Sequence, residues 1–175
     1  MVLQVDELSF SYPSSGKVLE RISFEIERGE FVLITGPNRS GKTTLAYCLC
    51  GIIPHLIEGE LSGKVRVFGM STREAELSRI LRNVNIVLQN PEAQLFGMTV
   101  EEEIKMSMEN WGFNEREIEK KAGELLKMFD LYKLRKKNPM SLSGGQKQKL
   151  AIASILAIEP KILISVSYTH LRAHE

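Results

Sequence analysis

Cysteine is nearly absent: two residues in 175, Cys48 and Cys50. Two positions apart on a helix, they point to different faces, so neither a disulfide between them nor a shared metal is expected. They read as two small thiols packed on a helix, which fits a cytosolic protein. A surplus of charge is absent too. The 23 Lys and Arg face 22 Asp and Glu, a formal net charge of +1, so electrostatics gives no case for a nucleic-acid partner. No apolar run approaches the roughly 18 residues of a membrane span. The segment Met1–Glu7 has no basic leader, and the chain has no internal repeat or low-complexity tract. Its 43% hydrophobic content excludes a disordered chain, and its length suits one domain with a sizeable core.

What is present starts with Gly36-Pro37-Asn38-Arg39-Ser40-Gly41-Lys42-Thr43-Thr44, which fits G-x-x-x-x-G-K-[ST]. The apolar run Phe31–Ile34 before it predicts a strand, and Leu45–Cys50 after it predicts a helix. That context turns the pattern into a phosphate-binding loop. Gly36 and Gly41 let the backbone turn and bring bare N–H groups to phosphate oxygens, and the helix start adds positive partial charge. Lys42 is expected to reach the β- and γ-phosphates, and Thr43 to place its hydroxyl on Mg²⁺. A side chain at Arg39 disfavours left-handed backbone at that point of the loop.

The alternation of Ile22, Phe24 and Ile26 with Ser23, Glu25 and Glu27 predicts a half-buried strand. Leu3 and Val5, then Leu8 and Phe10, predict an earlier strand with an irregularity at Asp6-Glu7. Gly63–Gly69 predicts a third, bounded by glycines. These imply an antiparallel sheet with one exposed face. Phe31–Ile34, Ile86–Leu88 and Ile162–Ile164 are continuous apolar runs, expected in a parallel sheet buried on both faces. Between them, Val100–Glu109 and Glu115–Phe129 predict helices separated by Gly112-Phe113-Asn114. Ile118, Leu125, Leu126 and Phe129 form one stripe. Arg135-Lys136-Lys137 reads as a solvated loop, and lone His55 as a loop residue rather than a ligand. Leu142-Ser143-Gly144-Gly145-Gln146 opens an amphipathic helix with Leu150, Ala153, Ser154 and Ala157 on its apolar face. Ser143 is its expected cap, and the glycines leave a phosphate room to approach.

The phosphate loop, Gln89 and Leu142–Gln146, in that order and spacing, resemble the nucleotide-binding subunits of ABC transporters over residues 1 to about 164. Gln89–Phe96, Thr99–Glu103, Ile53-Pro54-His55 and Glu58-Gly59-Glu60 further resemble the energy-coupling-factor group, whose ATPases power uptake of vitamins and of cobalt or nickel ions. The resemblance implies an α/β P-loop fold of the ABC type. Its parts are a parallel core sheet, an N-terminal antiparallel β subdomain and a helical signature subdomain at about 95–150. It implies ATP and Mg²⁺ as ligands, Tyr12 stacking on adenine, and Gln89 linking Mg²⁺ and the attacking water to the membrane partner. It also implies a head-to-tail dimer, homo- or heteromeric, in which Ser143, Gly144 and Gly145 touch the ATP of the opposite subunit. A transmembrane subunit would be the other partner, placing the protein peripherally on the cytoplasmic face.

The family pattern then asks for four apolar residues followed by Asp for Mg²⁺ and Glu for the water. Here Val166 and Ser167 stand at those positions. Valine cannot accept a hydrogen bond from metal-bound water, and loss of a positioned base costs about 10²–10⁴ in rate. The segment Val166–Glu175 has no periodicity and resembles the translation of a transposon-end sequencing adapter. The expectation is therefore a partial nucleotide-binding domain over 1–164 and a non-native tail over 165–175. That chain would be incomplete at its C-terminus, would bind ATP without efficient hydrolysis, and would be loosely folded or poorly soluble, because a central strand is missing. Two other readings stay open: a soluble ABC-type ATPase acting on ribosomes or DNA, and a non-catalytic nucleotide-binding regulatory module.

Overall fold

The computed structural model describes residues 1–14, 16–88 and 90–166. It divides into two units, Met1–Ile86 and Val87–Glu175.

The first unit is built on a four-stranded antiparallel sheet in the order β2-β1-β3-β4. The strands are β1 (Leu3–Ser11), β2 (Lys17–Ile26), β3 (Glu60–Val67) and β4 (Met70–Ser71). On β1, Leu3, Val5, Leu8 and Phe10 are all buried to 3% exposure or less. The expected irregularity is real. Register shifts between Val5 and Leu8 against β2, and between Asp6 and Ser9 against β3. Glu7 takes a positive φ of 47°, and its N–H is satisfied by Ser23 Oγ at 2.8 Å. Gly63 faces this bulge, and a Cβ there would lie 2.4 Å from the Glu7 carbonyl oxygen, so only glycine fits opposite the extra residue. Helices α1 (Lys42–Leu49), α2 (Ile52–His55) and α3 (Leu77–Leu81) complete the unit, and strand β5 (Val84–Val87) runs to its boundary.

The second unit packs α4 (Val100–Glu109), α5 (Glu115–Met128) and α6 (Gly144–Ala157) around one apolar core running from Leu95 to Ala157. Both sequence-predicted helices of the insertion are present. Thr99 with Glu102, and Asn114 with Glu117, close reciprocal capping boxes at their starts, which explains the sharp boundaries. Ile118, Leu125 and Leu126 are buried as their spacing requires. The Arg135–Lys137 stretch serves as scaffolding: the carbonyls of Arg135 and Lys137 accept from Glu101 and Val100 N–H, both at 3.0 Å. Strand β6 (Ile162–Ser165) ends the unit, and Val166 N–H donates to Val87 O at 3.0 Å. The expected non-native tail begins at 165, inside this strand; its residues 167–175 lie outside the described residues.

Two strand expectations need correction. Phe31–Ile34 forms no strand, and its side chains are exposed, Phe31 to 94% and Leu33 to 77%. Hydrophobic character alone does not make a strand, and among the described residues the backbone of this run has no ladder partner. On β6, Leu163 is 42% exposed, so this strand is not covered on both faces.

Candidate nucleotide site

The phosphate loop lies wholly in the first unit. Residues 36–40 are exposed, while Thr44, one turn into α1, is buried. Gly41 is the residue before α1 and has φ 87°, ψ 4°. A Cβ on it would meet Val18 O and Leu19 Cδ2 at 3.0 Å, so glycine is required here by both conformation and space. Arg39 also adopts left-handed backbone, φ 65°, which for a side-chain-bearing residue costs roughly 1–2 kcal/mol. The Lys42 ammonium is folded onto the loop, donating to Pro37 O at 2.7 Å, Gly36 O at 3.0 Å and Ser40 Oγ at 3.3 Å.

The start of α1 has no side-chain cap, unlike α4, α5 and α6. A helix leaves its first four N–H groups without intrahelical partners. At α1 these groups, the two loop glycines and one ammonium converge on a solvent-facing loop. That donor set suits a polyanion. Among the described residues no group of three His, Cys, Asp or Glu is gathered into a protein-only metal site. Thr43, exposed in the first turn of α1, offers a hydroxyl oxygen of the kind that Mg²⁺ takes together with phosphate and water.

Tyr12 immediately follows β1. Its hydroxyl lies 3.1 Å from Thr44 Oγ1, and its ring meets Phe10 edge-on at 4.9 Å between centroids. The fold thus brings Tyr12 and the phosphate loop together. His55 is satisfied structurally, its Nε2 2.9 Å from Thr72 O. The two thiols are buried and unbridged. Burial pushes Cys48 up to about 12 and Cys50 up to about 11, so both stay protonated and unreactive at neutral pH.

The second motif lies in the second unit. Leu142 is buried, and Ser143 Oγ accepts from Gln146 N–H while Gln146 Oε1 accepts from Ser143 N–H. Gly144 and Gly145 have nothing within 4 Å of where a Cβ would stand. Packing among the described residues does not demand glycine at either position. Of the other sequence-predicted residues, Gln89 and Ser167 lie outside the described residues, and Val166 is 8% exposed.

Two charged residues escaped sequence reasoning. Glu103 is 3% exposed, and its Oε2 accepts from Phe96 and Gly97 N–H at 2.7 and 2.6 Å. Lys147 is 9% exposed and pairs with Glu92. Each lies on the apolar stripe of its own helix, Glu103 with Val100 and Ile104, Lys147 with Leu150 and Ala151. A lone charge on such a stripe is the signal that marks them.

A glycine-flanked loop feeding an uncapped helix with Lys-Thr-Thr at its start, beside an antiparallel sheet, is the phosphate cradle of a P-loop nucleotide-binding protein. The ABC transporter family model matches residues 19–165. A putative ABC transporter ATP-binding protein of Pyrococcus horikoshii is 44% identical over 164 residues, covering 93% of this chain and 58% of that protein. A putative HMP/thiamine import ATP-binding protein of Bacillus subtilis is 41% identical over 165 residues, covering 93% of this chain and 30% of that one. Among solved structures, cbiO1 of Clostridium perfringens, described as part of the ABC transporter complex cbiONQ, superposes with a TM-score of 0.80 at 32% identity, covering 94% of this chain and 64% of that one. A dimeric ATP-binding cassette in a post-hydrolysis state bound to ADP and Pi superposes with a TM-score of 0.79 at 27% identity, covering 93% and 72%. The chain belongs to the ABC transporter family, and its fold is the α/β P-loop fold of that type, with an N-terminal antiparallel sheet and a helical subdomain.

Proposed function

We propose that this chain is the nucleotide-binding part of an ATP-binding subunit of an energy-coupling-factor-type importer for a micronutrient, a vitamin or a metal ion. The observation that carries the reading is the uncapped start of α1, with Lys42 and left-handed Gly41 beside it. The likeness to thiamine-import and cbiONQ components supports the transport class. ATP with Mg²⁺ is held by residues 36–44, with Tyr12 beside the base, Thr43 toward the metal and Gln89 near the metal and water. Leu142–Gln146 faces the ATP held by a second ATPase subunit, and the open space at Gly144 and Gly145 supports this. A membrane subunit is the further partner, and the protein works peripherally at the cytoplasmic face of the membrane.

When bound, Mg²⁺ supplies charge neutralisation of the phosphates; this chain's own residues bind and orient them. Lys42 exchanges its loop carbonyls for phosphate oxygens, and the α1 N–H groups fix the phosphates in place. Val166, the residue after β6, stands where the resemblance asks for Asp. The 175-residue chain therefore binds ATP without efficient turnover. Calorimetry with Mg-ATP checks the binding. Lys42→Ala is expected to weaken it by a factor of about 100, the scale of a lost charge-assisted contact, and ATP hydrolysis by this chain is expected to stay at background. Unchanged binding by Lys42→Ala, or brisk turnover, would overturn the reading.

A further inference from the structure

Lys147 is in the wrong place for stability alone. It stands in the first turn of α6, where the helix dipole disfavours a cation, and on the buried stripe, where burial of an ammonium is costly. An apolar residue would serve that position better. Its ammonium instead reaches Glu92 Oε1 at 2.5 Å, in the short 3-10 turn Pro91–Gln94.

That turn sits in a segment held from several sides. Gln94 Oε1 accepts from Leu88 N–H at 2.7 Å, and Asn90 Oδ1 accepts from Glu92 N–H at 3.1 Å. Glu103, from α4, grips Phe96 and Gly97 N–H. Gly97 approaches so closely that a Cβ would lie 2.6 Å from Glu103 N. The segment after β5 is thereby fastened to α4 by one buried carboxylate and to α6 by one buried ammonium. Phe96 and Met98, just beyond, are 76% and 79% exposed.

We propose that Lys147 and Glu92 are a positioning pair that locks the Pro91–Gln94 turn to the first turn of α6, so that any displacement of the turn carries Ser143–Gly145 with it. The inference rests on the function proposed above, in which Ser143–Gly145 face a nucleotide. The pair touches neither nucleotide nor reacting atoms; it acts through the placement of the Ser143–Gly145 backbone.

The test uses the complete subunit assembled with its membrane partner. Lys147→Met and Glu92→Gln are each expected to lower kcat for ATP hydrolysis about tenfold, with KM and the affinity for a non-hydrolysable ATP analogue unchanged within about twofold. The exchanged pair, Glu92→Lys with Lys147→Glu, is expected to recover kcat to within about threefold of wild type, the non-additivity of directly coupled groups. Lys147→Arg, which keeps the charge, is expected to behave like wild type and covers the case in which Lys147→Met fails to fold. Single variants that keep wild-type kcat, a KM that rises in step with the loss, or an exchange that rescues nothing would overturn the proposal. If the wild-type subunit binds no ATP, the proposed function fails. The pair is then read in the 175-residue chain by hydrogen exchange at Gly144–Gln146. Faster exchange in Glu92→Gln supports the lock, and unchanged exchange overturns it.

Discussion

Two helix starts in this chain are rich in glycine, and they are built in opposite ways. At α1 the preceding residue is left-handed Gly41, no side chain caps the helix, and a Cβ at Gly41 would run into Val18 and Leu19. At α6, Ser143 and Gln146 close a reciprocal box, and Gly144 and Gly145 border open space. Glycine at α1 is demanded by the protein's own backbone. Glycine at α6 is not demanded by packing among the described residues. One start has no side-chain cap, and its lysine rests on the carbonyls of its own loop. The other is a finished surface whose small residues leave room.

The widest separation between them should come from alanine. Gly41→Ala is expected to destabilise the first unit by about 2–3 kcal/mol, combining left-handed strain with the clash. Gly145→Ala should leave stability unchanged or raise it by up to about 0.5–1 kcal/mol, because alanine is the better helix former. Urea denaturation of both variants checks this, and equal effects would erase the contrast. Next in size is the cap. Ser143→Ala removes an N-cap acceptor and should cost about 1 kcal/mol, whereas α1 has no cap to lose.

Arg39→Gly tests the strain on the other side. It relieves a left-handed residue at φ 65°, and the gain should be up to about 1 kcal/mol after the added freedom of the unfolded chain is counted. The smallest effect sharpens the picture of the helical unit that carries α6. Hydrogen bonding to Lys136, aided by Lys105, holds the Glu101 carboxyl below its ordinary range. A depressed carboxyl contributes stability above its unfolded value of about 4.3, and that contribution disappears as pH falls through the lower folded value. Glu101→Gln should therefore lose least relative to wild type in acid and most at neutral pH. Denaturation midpoints at pH 7 and pH 3 check the sign.

The antiparallel sheet was readable because alternation reports a half-buried strand directly, and even the bulge at Glu7 showed as a break in that alternation. The helices of the insertion were readable because apolar spacing and capping residues are local signals. Phe31–Ile34 misled because a strand is a relation between segments. Its four apolar residues indicate a wish for burial, and in the structure nothing among the described residues pairs with them. Glu103 was passed over because the dense charge of α4 hid that it falls on the apolar stripe, and Lys147 because it stands among the polar residues that open α6. Their partners, the Phe96–Gly97 amides and Glu92, lie 6 or 7 and 55 positions away.

Residue type and short-range spacing were enough to announce the phosphate loop, the capped signature helix and the family, because glycine freedom, helix capping and lysine charge act within a few residues. Folding was needed for the rest: that Lys42 rests on its own loop carbonyls, that Tyr12 meets Thr44, that the open space lies at Gly144 and Gly145 rather than Gly41, and that Lys147 finds Glu92. Each of these depends on distances between segments far apart in the chain, which no local pattern encodes.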